Sequence, residues 1–133
     1  MTHRKAAEAL LNAYLAACEA RDVAAIVRCF APRAVVMDPT SPRAQGRTQI
    51  GVYFRALYDD LDDLKLRCSP LYWQADAIAC HWRGLARRKT GETIAYEGID
   101  VFHLSQGPLI ARMQAFWDPK DFAPIETTMS DGR

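Results

Sequence analysis

The feature that most constrains this fold is a change of period near Leu64. Before it, apolar residues recur at helical spacing; after it, they alternate. Residues 5–20 carry Ala7, Leu10, Leu11, Tyr14, Leu15 and Cys18 as one apolar stripe, the pattern of an amphipathic helix. From Leu64 the residues Leu64, Leu66 and Cys68 alternate in a strand that can run to Trp73, and residues 77–88, 94–104 and 109–117 read as further strands. Thr90-Gly91 and Gln106-Gly107-Pro108 supply tight turns between them. Helices first and strands after predict an α+β domain. A curved sheet, mixed or antiparallel, packs against three helices from the N-terminal half, and a pocket lies between the layers. A chain of 133 residues supports one core. A single domain over residues 1–122 is therefore expected, with the polar, aperiodic residues 123–133 as a loose tail.

Within the helical half, Asp22 reads as the N-cap of a second helix over residues 23–30, which Pro32 ends. A short strand over residues 34–37 then delivers Asp38 to the Asp-Pro-Thr-Ser-Pro turn. Gly46 and Thr48 open a third helix over residues 49–58, with Ile50, Phe54 and either Tyr53 or Leu57 inward. The acidic pairs Asp59-Asp60 and Asp62-Asp63 lack apolar surroundings and read as a solvated turn rather than a metal site.

Composition excludes several function classes. A net charge of +1 leaves no electrostatic footprint for nucleic acid or an anionic membrane surface. Cys18, Cys29, Cys68 and Cys80 form no CxxC pair and have no histidines at metal-ligand spacing, so all four are expected as reduced thiols. With no signal-peptide layout and no apolar run of transmembrane length, a cytoplasmic protein is expected.

Chemistry concentrates at a few positions. In residues 94–104 one face of the strand carries Ile94, Tyr96, Gly98, Asp100, Phe102 and Leu104. Asp100 thus sits mid-strand on an apolar face, where an ionised carboxylate is costly and a protonated one is favoured. A solvated carboxylate follows if the phase is reversed. Tyr14 lies in the first helix's apolar stripe, where its hydroxyl needs a partner. Asp38 stands where a strand opens into a loop, a common mounting point for catalytic groups.

These pieces resemble the NTF2-like, SnoaL-like superfamily, whose fold is a half-cone of sheet and helices, and within it the ketosteroid isomerases. The resemblance spans about residues 6–118. It rests on Tyr14, on ARDVAAIVRCFAPRAVVMDP ending in Asp38-Pro39, on GRTQI, on IDVFHL around Asp100, and on MQAFW. It implies Asp38 as general base, and Tyr14 with protonated Asp100 as donors to a dienolate oxygen, with no metal or organic cofactor. The implied substrate is a small hydrophobic or partly polar enone or ketone. Phe116 and Trp117 would form an aromatic wall, and Phe30, Phe54 and Phe102 further pocket lining. Phe30 and Phe54 stand where some isomerases carry supporting tyrosines. His81 and Arg83 fall where apolar pocket residues are expected, so they are expected to make the pocket partly basic, unless a one-residue slip puts them on the other sheet face. The resemblance also implies a homodimer through the outer sheet face, where Ile99 and Val101 lie. Other members of the superfamily are polyketide cyclases, dehydratases, epoxide hydrolases or non-catalytic binding modules. The epoxide hydrolases carry an Arg two residues before the strand aspartate, where this chain has Gly98.

Overall fold

The computed structural model describes residues 2–118, 120 and 123–125. Helix α1 spans Thr2–Ala20 and buries Ala7, Leu11, Tyr14 and Cys18 along one stripe, as its spacing predicts. Asp22 caps α2, Val23–Arg28, by accepting the Ala25 N–H at 3.1 Å. This helix is shorter than expected, and Pro32 does not end it. Phe30 already begins strand β1, Phe30–Asp38, so Pro32 lies inside a strand. The pairing of β1 is irregular between Phe30 and Val35, so the missing proline N–H breaks no ladder there.

The Asp-Pro-Thr-Ser-Pro run turns only at Pro39 and Thr40, and Ser41–Gln45 returns as β2, antiparallel to β1. Helix α3, Gly46–Tyr58, follows. Gly46 adopts φ +83°, a conformation that favours glycine. Ile50 and Phe54 face the core, Tyr53 is half-buried, and Leu57 is 46 % exposed. Arg47 anchors the start of α3 to β1 by donating from Nε and Nη2 to the Phe30 carbonyl at 2.9 and 2.7 Å.

The remaining strands are β3 (Leu61–Gln74), β4 (Ala77–Arg88), β5 (Thr93–Leu104), β6 (Ile110–Phe116) and β7 (Ala123–Ile125). The sheet runs β2-β1-β6-β5-β4-β3, with β7 pairing β5 beyond the end of β6. Only the β1–β6 pair is parallel among the described strands, so the sheet is mixed. Ala123–Ile125, expected in a loose tail, are thus part of the sheet, whereas residues 126–133 lie outside the described ones. The acidic run is also more ordered than a solvated turn. The β3–β4 register sets Leu61 opposite Arg88, which brings Arg88 to Asp60 and Arg87 to Asp62.

Cysteine pairing differs from the expectation of four reduced thiols. Cys68 and Cys80 form a disulfide between β3 and β4, their Cα atoms 5.9 Å apart. Cross-strand neighbours twelve residues apart leave no linear spacing motif, so only the hairpin register reveals them. Cys18 and Cys29 are free and buried. Among the described residues no helix is long and apolar enough to cross a membrane.

Helices and sheet enclose a core of Ile26, Phe30, Ile50, Phe54, Ile78, Phe102 and Ile110. At Gly98, β5 comes close to the end of β6. A Cβ at Gly98 would stand 2.5 Å from the Phe116 carbonyl oxygen and 2.8 Å from Trp82 Cζ2. Gly98→Ala is therefore expected to cost about 1–3 kcal/mol by overpacking. Thermal unfolding should show the melting temperature lowered by several degrees, and an unchanged value would mean the backbones separate freely here.

Candidate active site

The phase of β4 and β5 decides what faces the helices. Cys80 pairs with Asp100, and Trp82 with Gly98. Ile78, Cys80, Trp82, Ala86, Phe102 and Leu104 are all buried, so the even-numbered side is the concave one. Asp100 lies on it, as the alternation in residues 94–104 predicts. His81 and Arg83 lie on the opposite face and do not enter the cavity, which corrects the expectation of a partly basic pocket. Each stands 3.6 Å from Glu97 on that outer face. Phe116, expected in the aromatic wall, is 48 % exposed on the outer side. All three follow from one rule: neighbours along a strand point to opposite faces.

A cavity of about 260 Å³ opens between helices and sheet. Tyr14 from α1, Tyr53 and Phe54 from α3, Asp38 at the end of β1, Asp100 from β5 and Trp117 just after β6 all reach it. The cavity thus brings Tyr14, Asp38 and Asp100 together, with Phe54 and Trp117 in its wall. Phe30 and Phe102 stand behind that wall instead. Their rings pack edge-on against Tyr14 at 5.9 and 5.7 Å between centroids, fixing the phenol rather than touching the cavity.

The two aspartates have unlike surroundings. Asp38 is half-buried at a strand end. Thr40 donates its N–H and its hydroxyl to Asp38 Oδ1, both at 2.8 Å, in a local turn. The Tyr53 hydroxyl donates to Oδ2 at 2.5 Å. The carboxylate is therefore held from both sides. Burial pushes the Asp100 carboxyl up to about 7, the Trp82 indole opposes this, and the Asp38 charge adds to it.

The remaining polar groups stay neutral. Burial holds the Tyr14 hydroxyl well above its ordinary range, and the nearby Cys18 and Asp100 reinforce this. Its proton is donated to Met113 Sδ at 3.2 Å. A thioether is a weak acceptor, so a ligand oxygen carrying negative charge would displace it readily. Burial likewise raises Tyr53, Tyr58 and Tyr96, and pushes Cys18 to about 12. The wall is thus one clamped carboxylate facing a set of uncharged donors across apolar surface.

Sequence reasoning missed Tyr53 and Thr40 as partners of Asp38, and Trp82 as a neighbour of Asp100. Thr40 carried a local signal, since a threonine two residues after an aspartate suits such a turn. Tyr53 carried none, because its bond to Asp38 spans the α3–β1 packing. Among the described residues no group of three His, Cys, Asp or Glu side chains is placed to hold a metal ion. A larger depression of about 1110 Å³ includes the outer sheet face, where His81 and Arg83 both lie against Glu97.

The sequence profile of the SnoaL-like domain matches residues 11–113. No curated protein sequence matches the chain. Among solved structures, the epoxide hydrolase/cyclase-like enzyme SalBIII, described in pyran ring formation in the polyether salinomycin, superposes with a TM-score of 0.82. It shares 21 % identity over 94 % of this chain and 100 % of its own. RV0760c from Mycobacterium tuberculosis, in complex with estradiol-17beta-hemisuccinate, has a TM-score of 0.74 at 17 % identity, covering 86 % of this chain and 95 % of its own. A computationally designed 17-OHP binder has a TM-score of 0.75 at 16 % identity, covering 88 % and 95 %. At these identities the likeness is one of fold.

Burial of the Asp100 carboxyl couples folding stability to pH. In the unfolded chain its carboxyl ionises in the ordinary range, and in the folded chain only near 7. Between those points the unfolded state holds fewer protons, so stability falls as pH rises and then levels off. Asp100→Asn removes the effect. The melting-temperature gap between Asp100→Asn and wild type should widen from about pH 4 to 7 and stay flat above it. A gap independent of pH would show that Asp100 is not desolvated.

Proposed function

The chain belongs to the SnoaL-like domain family, and on that footing we propose that it is a cofactor-independent proton-transfer enzyme, converting a β,γ-unsaturated ketone to the conjugated enone. The observation that carries this reading is the pair of carboxyl groups in unlike surroundings on one apolar cavity, Asp38 clamped by Thr40 and Tyr53, and Asp100 pushed toward its protonated form by burial. Asp38 Oδ2 takes the proton from the carbon between the carbonyl and the double bond. The electron pair delocalises onto the carbonyl oxygen as a dienolate. Tyr14 and Asp100 donate hydrogen bonds to that oxygen, Tyr14 leaving Met113 to do so. The same Asp38 then returns the proton at the far carbon of the allyl system, and the enone leaves with no net change in atoms.

Each group suits its step. A base held by Thr40 and Tyr53 shuttles one proton between two carbons without turning away. Donors that are neutral and already in place stabilise a developing oxyanion better than water does. Structural relatives in complex with estradiol-17beta-hemisuccinate, or designed to bind 17-OHP, are consistent with a steroid-like ligand in this fold. A second reading follows from Asp100 itself. A carboxyl with a pKa of about 7 can give up its proton as well as share it, which suits acid-assisted ring closure.

Ultraviolet absorbance of the conjugated enone separates these readings. Wild type should convert simple cyclic β,γ-enones or a Δ5-3-ketosteroid, and Asp38→Asn should abolish turnover while leaving the fold intact. Asp100→Ala should lower kcat by about 10²–10³, the scale of losing one oxyanion donor. The rate should fall as pH rises through about 7, where Asp100 becomes a carboxylate, and Asp100→Asn should lose that limb. No enone formation from any of these substrates would overturn the isomerase reading.

We also propose a homodimer through the outer face of β4–β6, where Ile99 and Phe116 are 40 % and 48 % exposed. Light scattering should give twice the 14.9 kDa chain mass, and a monomer would overturn it.

A further inference from the structure

Asp38, Thr40, Tyr53 and Leu57 line two cavities at once. One is the 260 Å³ cavity already described. The other is a groove of about 470 Å³ between β2 and α3, bordered by Ser41, Arg43, Thr48 and Val52. The Tyr53–Asp38 hydrogen bond therefore belongs to a shared wall, with the reacting site on one side and an open groove on the other.

We infer that this groove is a second substrate subsite, taking an apolar chain with an anionic end from a ligand whose uncharged ring end occupies the inner cavity. The inference rests on the reading of the inner cavity as the reacting site. Continuity is its first support. The inner cavity of about 260 Å³ and the groove meet at Asp38, Thr40, Tyr53 and Leu57, so a ligand longer than the inner cavity can run on past Asp38. The groove next to Asp38 is where it can go.

The groove's chemistry specifies what continues. Val52 and Leu57, on consecutive turns of α3, are 58 % and 46 % exposed beside it, apolar surface suited to a hydrocarbon chain. Arg43 is exposed, and among the described residues no carboxylate pairs with it, unlike Arg83, Arg87 and Arg88. Its planar fork matches a carboxylate or a phosphate. Charge also orients the chain. Asp38 at the shared wall repels an anion, so the charged end lies outward at Arg43 and the uncharged ring lies inward. Gln49 is less available as a competing acceptor, since its Oε1 already takes the Gln45 N–H at 2.9 Å.

Fluorescence titration of the full chain with planar phenols, which mimic the dienolate, tests this. The probes are 2-naphthol, 4-(6-hydroxynaphthalen-2-yl)butanoate, and the phosphate ester of the matching butanol. An anionic tail should tighten binding about tenfold over 2-naphthol alone, and whichever tail gains more identifies carboxylate or phosphate as the natural end group. In Arg43→Glu the ratio of tailed to untailed affinity should drop by about fivefold or more, and 0.5 M salt should shrink the wild-type ratio, as for an exposed charge pair. A ratio near one in wild type, or one that Arg43→Glu leaves intact, overturns the groove proposal while the inner site stands. Failure of 2-naphthol to bind, or binding unaffected by Tyr14→Phe, overturns the reading of the inner site and the groove proposal with it.

Discussion

Everything at the site depends on the phase of alternation in the β4–β5 hairpin. With Cys80 opposite Asp100 and Trp82 opposite Gly98, the even-numbered side chains of both strands meet the helices. A shift of one residue would put Asp100 in solvent and carry His81, Arg83 and Glu97 into the core. That alternative would bury a guanidinium, a carboxylate and an imidazole in place of one carboxyl, so the observed phase is strongly favoured. The apolar residues flanking Asp100 hold it in a place where it prefers to stay protonated, and this gives the cavity its chemical character.

Asp38 differs because of where its strand stops. At the end of β1 the chain turns immediately, and Thr40 folds back to supply two donors. Helix α3 supplies the third through Tyr53. One carboxyl is therefore an organised acceptor and the other a potential donor, although the side chains are identical. Their difference is entirely one of solvation and hydrogen bonding. The aromatic packing of Phe30, Phe54 and Phe102 around Tyr14 completes the arrangement by fixing the phenol in position. Edge-on rings and a thioether orient Tyr14. They leave its proton weakly engaged and available to a ligand.

The α+β architecture was legible from periodicity because burial imposes it locally. A stripe at helical spacing must face a layer, and alternation must lie on a sheet with one apolar side. Asp100 on the apolar face, Tyr14 in the helical stripe and Asp38 at a strand end could all be read this way. The start of β1 was misread because helical and extended patterns look alike over the few residues around Phe30 and Pro32. β2 was hidden by turn-forming residues that here occupy an edge strand.

What the sequence by itself determined is which residues are apolar neighbours along each element, and hence the layers, the strand faces and the two unlike aspartates. The tertiary structure alone decided the contacts between elements distant in the chain. These include Tyr53 on Asp38, Tyr14 on Met113, Cys68 with Cys80, and the exclusion of His81, Arg83 and Phe116 from the cavity. The physical reason is that periodicity records only whether a side chain is buried. Which partner it meets depends on strand register and helix docking, and these are set by the packing of the whole core.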